Sequence, residues 1–311
     1  MKNTIRTALR LAPILALLSL AAPAAILHAQ QRQKGGIQVQ VDLVHIPAIV
    51  VDANGRPVPD LAVGAFSLSE NGVAQKIEQF EAQTSRPLDL ALMVDSSMSA
   101  LKELKFEDEA AAHFIRQVVR PGDALAVFEF AENVTQLSEY TDNISALEGA
   151  AKRISPGTGT SIYDAIVLSS QTLKRRPADR RRAIVLVTDG GETTSVSKFE
   201  ETRRAAIASE ALLYSIIVRP VKNEGGRNTA GEHAIITITD STGGALFVLD
   251  ELSQINDLFD RISRELRTQY LLGYYPTPTP PPNSRRHVDV QVSSGDLVRY
   301  RKEYFTAPLP K

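Results

Sequence analysis

Leu88-Asp89-Leu90-Ala91-Leu92-Met93-Val94-Asp95-Ser96-Ser97-Met98-Ser99 is the stretch on which the fold turns. Its first seven residues form a short, mostly apolar run of strand length. Leu101 to Val119 follows as an amphipathic stretch, with Leu104, Ala111, Ile115 and Val118 on one helical face. An Asp-x-Ser-x-Ser therefore sits at a strand-to-helix turn, the edge at which an open α/β sheet presents its loops to a ligand. One carboxylate and two hydroxyls at alternate positions offer hard oxygens on one side of a loop. Such oxygens suit Mg²⁺, Mn²⁺ or Ca²⁺ and do not suit zinc or copper. Taken alone, the same residues are also those of an ordinary helix cap, with Ser97 or Ser99 as the N-cap.

Downstream, strands and helices alternate. Pro121-Gly122-Asp123 ends the first helix, Ala124 to Phe130 reads as a strand, and Val134 to Thr141 as a hairpin edge beside it. Ile144 to Ile154 and Ser161 to Arg175 read as helices separated by the loop Pro156-Gly157-Thr158-Gly159-Thr160. Ala183 to Thr188 is β-branched and apolar throughout, as a central strand buried on both faces should be. Helix over Phe199 to Leu212, strand over Leu213 to Val218, helix over Ile235 to Ser241, strand over Ala245 to Leu249 and helix over Leu252 to Leu266 complete the layer. The expected fold is α/β, a Rossmann-like doubly wound, mostly parallel sheet covered on both faces.

Upstream, Ile37 to Leu43 alternates with period two, Ile46 to Asp52 reads as a second strand, and Asn71-Gly72 turns a hairpin between Phe66–Ser69 and Val73–Phe80. At the other end, Pro276, Pro278, Pro280, Pro281 and Pro282 make a stiff connector. Beyond it, Val288, Val290 and Val292 alternate before Gly295-Asp296 turns the chain back along Leu297 to Phe305. This last hairpin has no local helix to pack on and is expected to join the N-terminal strands in one small β-sandwich module, the alternative being that it extends the sheet of the α/β domain. The expected organisation is a signal peptide over 1–29, an N-terminal β module over 30–85, the α/β domain over 86–270, the connector over 271–285 and the C-terminal hairpin over 286–311.

Lys2, Arg6 and Arg10 precede the apolar run Leu11 to Leu27, and Leu27-His28-Ala29 offers a cleavage site, the pattern of a secretory signal. Export to the periplasm, envelope or medium is expected, with no membrane span after removal of the signal. The formal charge of the 311 residues is -1, and loss of the three basic signal residues leaves about -4, which disfavours a nucleic-acid binder. The absence of cysteine excludes thiol nucleophiles, thiolate metal sites and disulfides, so the core alone must hold the fold.

Parallel strands deliver their C-terminal loops to one edge. Three such loops carry hard-oxygen residues: Asp95, Ser97 and Ser99; Thr160 in Gly159-Thr160-Ser161; and Asp189 directly after Ile184-Val185-Leu186-Val187-Thr188. In this order and context the sequence resembles a von Willebrand factor A domain with a metal-ion-dependent adhesion site, over roughly Pro87 to Thr268. Val41-Asp42-Leu43-Val44, Leu271-Leu272-Gly273-Tyr274-Tyr275 and the final hairpin resemble secreted A-domain-related proteins of acidobacteria. The resemblance implies that Ser97 and Ser99 bind a divalent cation, most naturally Mg²⁺, through their hydroxyls. Thr160 would bind directly or through water, and Asp95 and Asp189 would balance the charge. It further implies an open coordination position for an Asp or Glu of a protein partner. In integrin-type A domains the last helix shifts on ligand binding, and a shift of Leu252 to Leu266 here would be felt by the β module.

Other motifs are weaker. His28, His45, His113, His233 and His287 are scattered without ligand spacing. Gly157-Thr158-Gly159 lacks the Lys-Ser/Thr of a phosphate loop. Lys174, Arg175, Arg176, Arg180, Arg181 and Arg182 read as solvated charges at a helix C-terminus, with an anion-binding surface as the alternative. Asp164 reads as a surface or supporting residue and Glu192 as a rim contact. No His or Lys falls in the three site loops to act as acid or base, so a non-enzymatic binding protein is expected, ahead of an envelope scaffold and of a metal-dependent hydrolase.

Overall fold

A computed structural model describes residues 43–82, 85–98, 104–218 and 229–307. The signal segment, residues 37–42 of the strand expected over Ile37 to Leu43, and Ser99 lie outside these residues. In chain order, β1 (Val44–Val51), β2 (Phe66–Glu70), β3 (Val73–Gln75) and β4 (Gln79–Glu81) come first. The α/β layer runs β5 (Leu88–Asp95), α1 (Leu104–Val118), β6 (Ala124–Phe130), β7 (Val134–Gln136), α2 (Ile144–Ala151), α3 (Ile162–Lys174), β8 (Arg181–Thr188), α4 (Phe199–Ala208), β9 (Leu212–Val218), α5 (Thr229–Thr242), β10 (Ala245–Leu249) and α6 (Ile255–Arg267). β11 (Tyr270–Tyr274), β12 (Arg285–Val292), β13 (Leu297–Tyr300) and β14 (Glu303–Phe305) follow.

Among the described residues the central sheet has the order β10-β9-β8-β5-β6-β7, parallel except for the antiparallel edge strand β7. Both faces of β5 are buried because alternate side chains enter different cores. Leu90, Leu92 and Val94 pack with α1, α2 and α6, whereas Ala91 and Met93 pack with α3 and α5. The helix expected to reach Leu212 ends at Ala208. Glu210 then turns the chain in a left-handed conformation, φ 60°, and Leu212 already belongs to β9.

The remaining strands form two sheets, β13-β1-β11-β4 and β14-β12-β2-β3, whose inner faces share one core. The sandwich is thus built from both ends of the chain, with β12 paired to β2 and β13 to β1. Three details differ from expectation. Tyr270–Tyr274 is a strand between β1 and β4 rather than the start of the connector, since Tyr270, Leu272 and Tyr274 alternate into the core. The Val73–Phe80 stretch splits, its first part pairing with β2 and its second, as β4, with β11 in the other sheet. At Gly295-Asp296 the chain crosses between sheets, so β13 pairs with β1, and of the expected return along β12 only β14 makes it.

Glu70 ties these strands together from inside. Its carboxylate is buried and accepts hydrogen bonds from Tyr274 Oη at 2.6 Å, Tyr304 Oη at 2.8 Å and Arg286 Nε at 2.7 Å. The sandwich is also fastened to the α/β layer. Arg299 pairs with the buried Glu265 of α6, and Arg203 of α4 with Glu303. Arg301 reaches Glu210 at 3.1 Å and the His45 carbonyl at 2.6 Å.

Candidate metal-binding edge of the sheet

β5 and β8 are parallel neighbours in register Val94↔Val187, so their ends place Asp95 beside Thr188 and one residue short of Asp189. Thr188 Oγ1 donates to Asp95 Oδ2 at 2.6 Å, the Ser97 amide donates to Asp95 Oδ1 at 2.9 Å, and Thr188 Oγ1 accepts from the Gly190 amide at 3.1 Å. Asp189 Oδ1 accepts from the Gly191 amide at 3.0 Å. Both carboxylates therefore accept bonds from their own turns.

The second loop is drawn to the first by its backbone. Gly157 N–H donates to the Ser96 carbonyl at 2.7 Å, and Ser97 and Gly157 form a parallel bridge. The approach needs glycine, because a Cβ at 157 would lie 2.5 Å from that of Ala131. Thr160 is held to the third loop, its amide donating to Thr193 Oγ1 at 2.8 Å and its carbonyl accepting from the Thr193 amide at 2.9 Å. Thr160 is not the cap of α3. Ser161 occupies that position and sends its hydroxyl to the Ala131 carbonyl at 2.7 Å. Asp95, Ser97, Thr160 and Asp189 are thus carried by loops laced to one another at one sheet edge.

The electrostatics of this edge are unusual for a group of acids. Asp95 is only 1% exposed, and its carboxyl is pushed up to about 6. Burial is the main cause and the charge of Asp189 adds to it, against the opposing hydrogen bonds of Thr188 and Ser97. Among the described residues the main influences on Asp95 include no arginine or lysine, and neither Asp95 nor Asp189 forms an ion pair. Oxygen donors from Asp, Ser and Thr with uncompensated negative charge fit a hard divalent cation.

Glu192 and Asp164 have supporting places that spacing did not show. Glu192 accepts from the Ser195 amide and hydroxyl, both at 2.9 Å, and from the Tyr163 amide at 3.1 Å, which puts its charge at the N-terminus of α3. Asp164 accepts from the Val196 and Ser197 amides at 2.9 Å. Burial pushes the Asp164 carboxyl up, but these bonds outweigh it and its pKa is lowered. Above the loops, Met98 and Val196 are exposed apolar side chains, 60% and 89% accessible. His113 pairs with Asp260 of α6 at 3.2 Å, away from these loops. In the basic cluster, Lys174 and Arg175 are exposed as expected, but Arg181 and Arg182 are buried.

Residues 90–192 match the family model of the von Willebrand factor type A domain. Among solved structures, a von Willebrand factor type A protein from Catenulispora acidiphila superposes with a TM-score of 0.51 at 10% identity, covering 86% of this chain and 73% of that one. The pilus adhesin SpaC from Lactobacillus rhamnosus GG, in its open conformation, gives 0.49 at 9% identity, covering 84% and 49%. Calcium-activated chloride channel regulator 4 of Homo sapiens is 26% identical over 182 residues, which is 57% of this chain and 18% of that protein. The alignment therefore spans less than a fifth of that relative's length. The α/β layer thus has a fold like that of von Willebrand factor type A domains, here joined to a β-sandwich module. Among the described residues no helix is long and apolar enough to cross a membrane.

Proposed function

We propose that this is an exported, non-enzymatic binding protein that holds a divalent cation, Mg²⁺ by preference, at Asp95, Ser97, Ser99, Thr160 and Asp189, and through it grips an acidic residue of a protein partner. The observation that carries the reading is the pair of carboxylates at neighbouring strand ends with no basic side chain paired to them among the described residues. When bound, the cation would supply an electrophilic position for a carboxylate, an attraction of about 4 kcal/mol at contact distance and an effective dielectric of about 20. The chain's own part is to fix the donors: Thr188 and the Ser97 amide orient Asp95, while Gly157 and Thr193 hold the Thr160 loop in place. Met98 and Val196 flank the edge and favour a partner whose acidic residue has an apolar neighbour. The test is calorimetric titration of Mg²⁺, Mn²⁺ and Ca²⁺ into the chain from Gln30 onward, beside Asp189→Ala. Saturable binding in the parent and none in the variant is expected. Equal heats in both would overturn the reading.

A further inference from the structure

The arginines preceding β8 do not behave as solvated charges. Arg181 is 6% and Arg182 8% exposed, at the seam between the α/β layer and the sheet that contains β1 and β11. They line a small cleft together with Arg86, Arg180, Glu210 and Gln269, at the strand ends opposite the Asp95 edge.

Charge in this cleft is unbalanced. Arg86 is matched by Glu81 at 2.5 Å and Arg180 by Asp89 at 2.7 Å. Arg181 donates to the carbonyls of Arg86 and Leu266. Arg182 donates to the carbonyls of Ser209, Arg176 and Pro177, and its nearest carboxylate is Glu210 at 4.0 Å. Glu210 is itself engaged by Arg301 at 3.1 Å. Burial is the main cause that pushes the Arg181 guanidinium down to about 10, with Arg267 and Arg120 adding to it and Asp123 and Glu81 opposing it. Two buried polar atoms of the lining, Arg182 Nε and Gln269 Oε1, have no hydrogen-bond partner among the described residues. Buried guanidinium groups with unused donors are the usual hosts of oxyanions, which they meet in planar, charge-assisted bonds.

We propose that the cleft binds a small tetrahedral oxyanion of the phosphate or sulfate type, which bridges the A domain and the β module. Arg182 and Arg181 supply the charge, and Gln269 donates through its Nε2–H₂ once its carboxamide is turned over. Among the described residues Glu210 is the one lining carboxylate, and it works against the ligand. The site is separate from the metal edge and does not rest on it.

The test uses the chain from Gln30 onward in EDTA, with sodium phosphate or sodium sulfate titrated against sodium chloride at constant ionic strength. Thermal unfolding and the ³¹P line width of phosphate are the readouts. Saturable stabilisation by a tetrahedral anion, beyond that of chloride, is expected. Arg182→Gln should weaken phosphate about ten-fold or more, the size of one charged hydrogen bond. Glu210→Gln, which removes the opposing charge, should tighten it by roughly three-fold. Phosphate and sulfate effects equal to chloride in the parent would overturn the proposal. Should Arg182→Gln fail to fold, Glu210→Gln decides: unchanged or weaker phosphate binding in that variant refutes it.

Discussion

Asp95→Asn should stabilise the metal-free protein at neutral pH, although it removes a central residue of the candidate site. The folded carboxyl sits at about 6 against 3.8 for an unperturbed one, chiefly because it is buried. Between those values the folded state holds a proton that the unfolded state has released, so stability rises as pH falls from above 6 towards 4. Above pH 6 the ionised carboxylate costs the fold about 3 kcal/mol. Asparagine removes that cost and keeps the Ser97 amide bond through its carbonyl. It returns part of the gain, about 1 kcal/mol, because the Thr188 hydroxyl loses its charged acceptor. The net expectation is a stabilisation of about 2 kcal/mol at pH 8 in EDTA, fading to nothing or reversing near pH 4. Urea unfolding of parent and variant at pH 8 and pH 4 measures it. A variant that is less stable by the same margin at both values would show that the buried carboxylate imposes no strain on the fold, and the electrostatic argument for the site would fail.

Three further perturbations probe other parts of the reasoning. Asp89 is fully buried between Arg176 at 2.9 Å and Arg180 at 2.7 Å, so Asp89→Ala should cost about 3–5 kcal/mol in urea unfolding by leaving its partners uncompensated. Tyr274→Phe and Tyr304→Phe should each cost about 1.5–3 kcal/mol, and a double-mutant cycle should show coupling of at least about 0.5 kcal/mol because both hydroxyls end on Glu70. Gly157→Ala should lose about 1–3 kcal/mol, and Ala131→Gly in the same chain should restore most of it, since the two side chains would otherwise collide; thermal unfolding of the single and double variants separates this from a general loop effect.

The α/β layer was legible because its signals are local. An apolar strand, a turn of Asp and Ser and an amphipathic helix each occupy a continuous window, and the parallel order follows from their alternation. The β-sandwich was legible in outline only. Tyr270–Tyr274 lies between a helix and a proline run, and nothing in its own window shows that its partners are Val44–Val51 and Gln79–Glu81. The same holds for β13, whose nearest candidate in sequence was β12 and whose partner is β1. At the site, Asp95, Ser97, Thr160 and Asp189 could be picked out as residue types at loop positions. The roles of Thr188, Thr193 and Ser195 could not, because each is defined by a hydrogen bond across loops. Arg181 and Arg182 show the opposite error. A run of basic residues looks solvated in sequence, and only the sandwich packed over the strand ends buries them.

That packing also bears on whether a ligand at the candidate metal edge can be felt elsewhere. An axial shift of α6 would have to move its C-terminal turn, which is where the sandwich and the sheet hold it. Glu265 is buried and paired to Arg299 of β13, Arg267 reaches Asp123 at 2.6 Å, and Arg181 donates to the Leu266 carbonyl. Breaking one buried pair costs about 3–5 kcal/mol, whereas coupling between sites typically amounts to about 1–3 kcal/mol. Binding at the far edge therefore has too little differential energy to slide the whole helix while these pairs persist. The N-terminal half of α6 is held differently, by apolar contacts of Ile255, Leu258 and Phe259, with the Phe259 ring stacked on Phe114 at 4.5 Å. Packing of this kind can readjust without stranding a charge. A signal from the Asp95 loop would thus be absorbed in that half and in α1, and the β module would act as a fixed anchor rather than as its receiver.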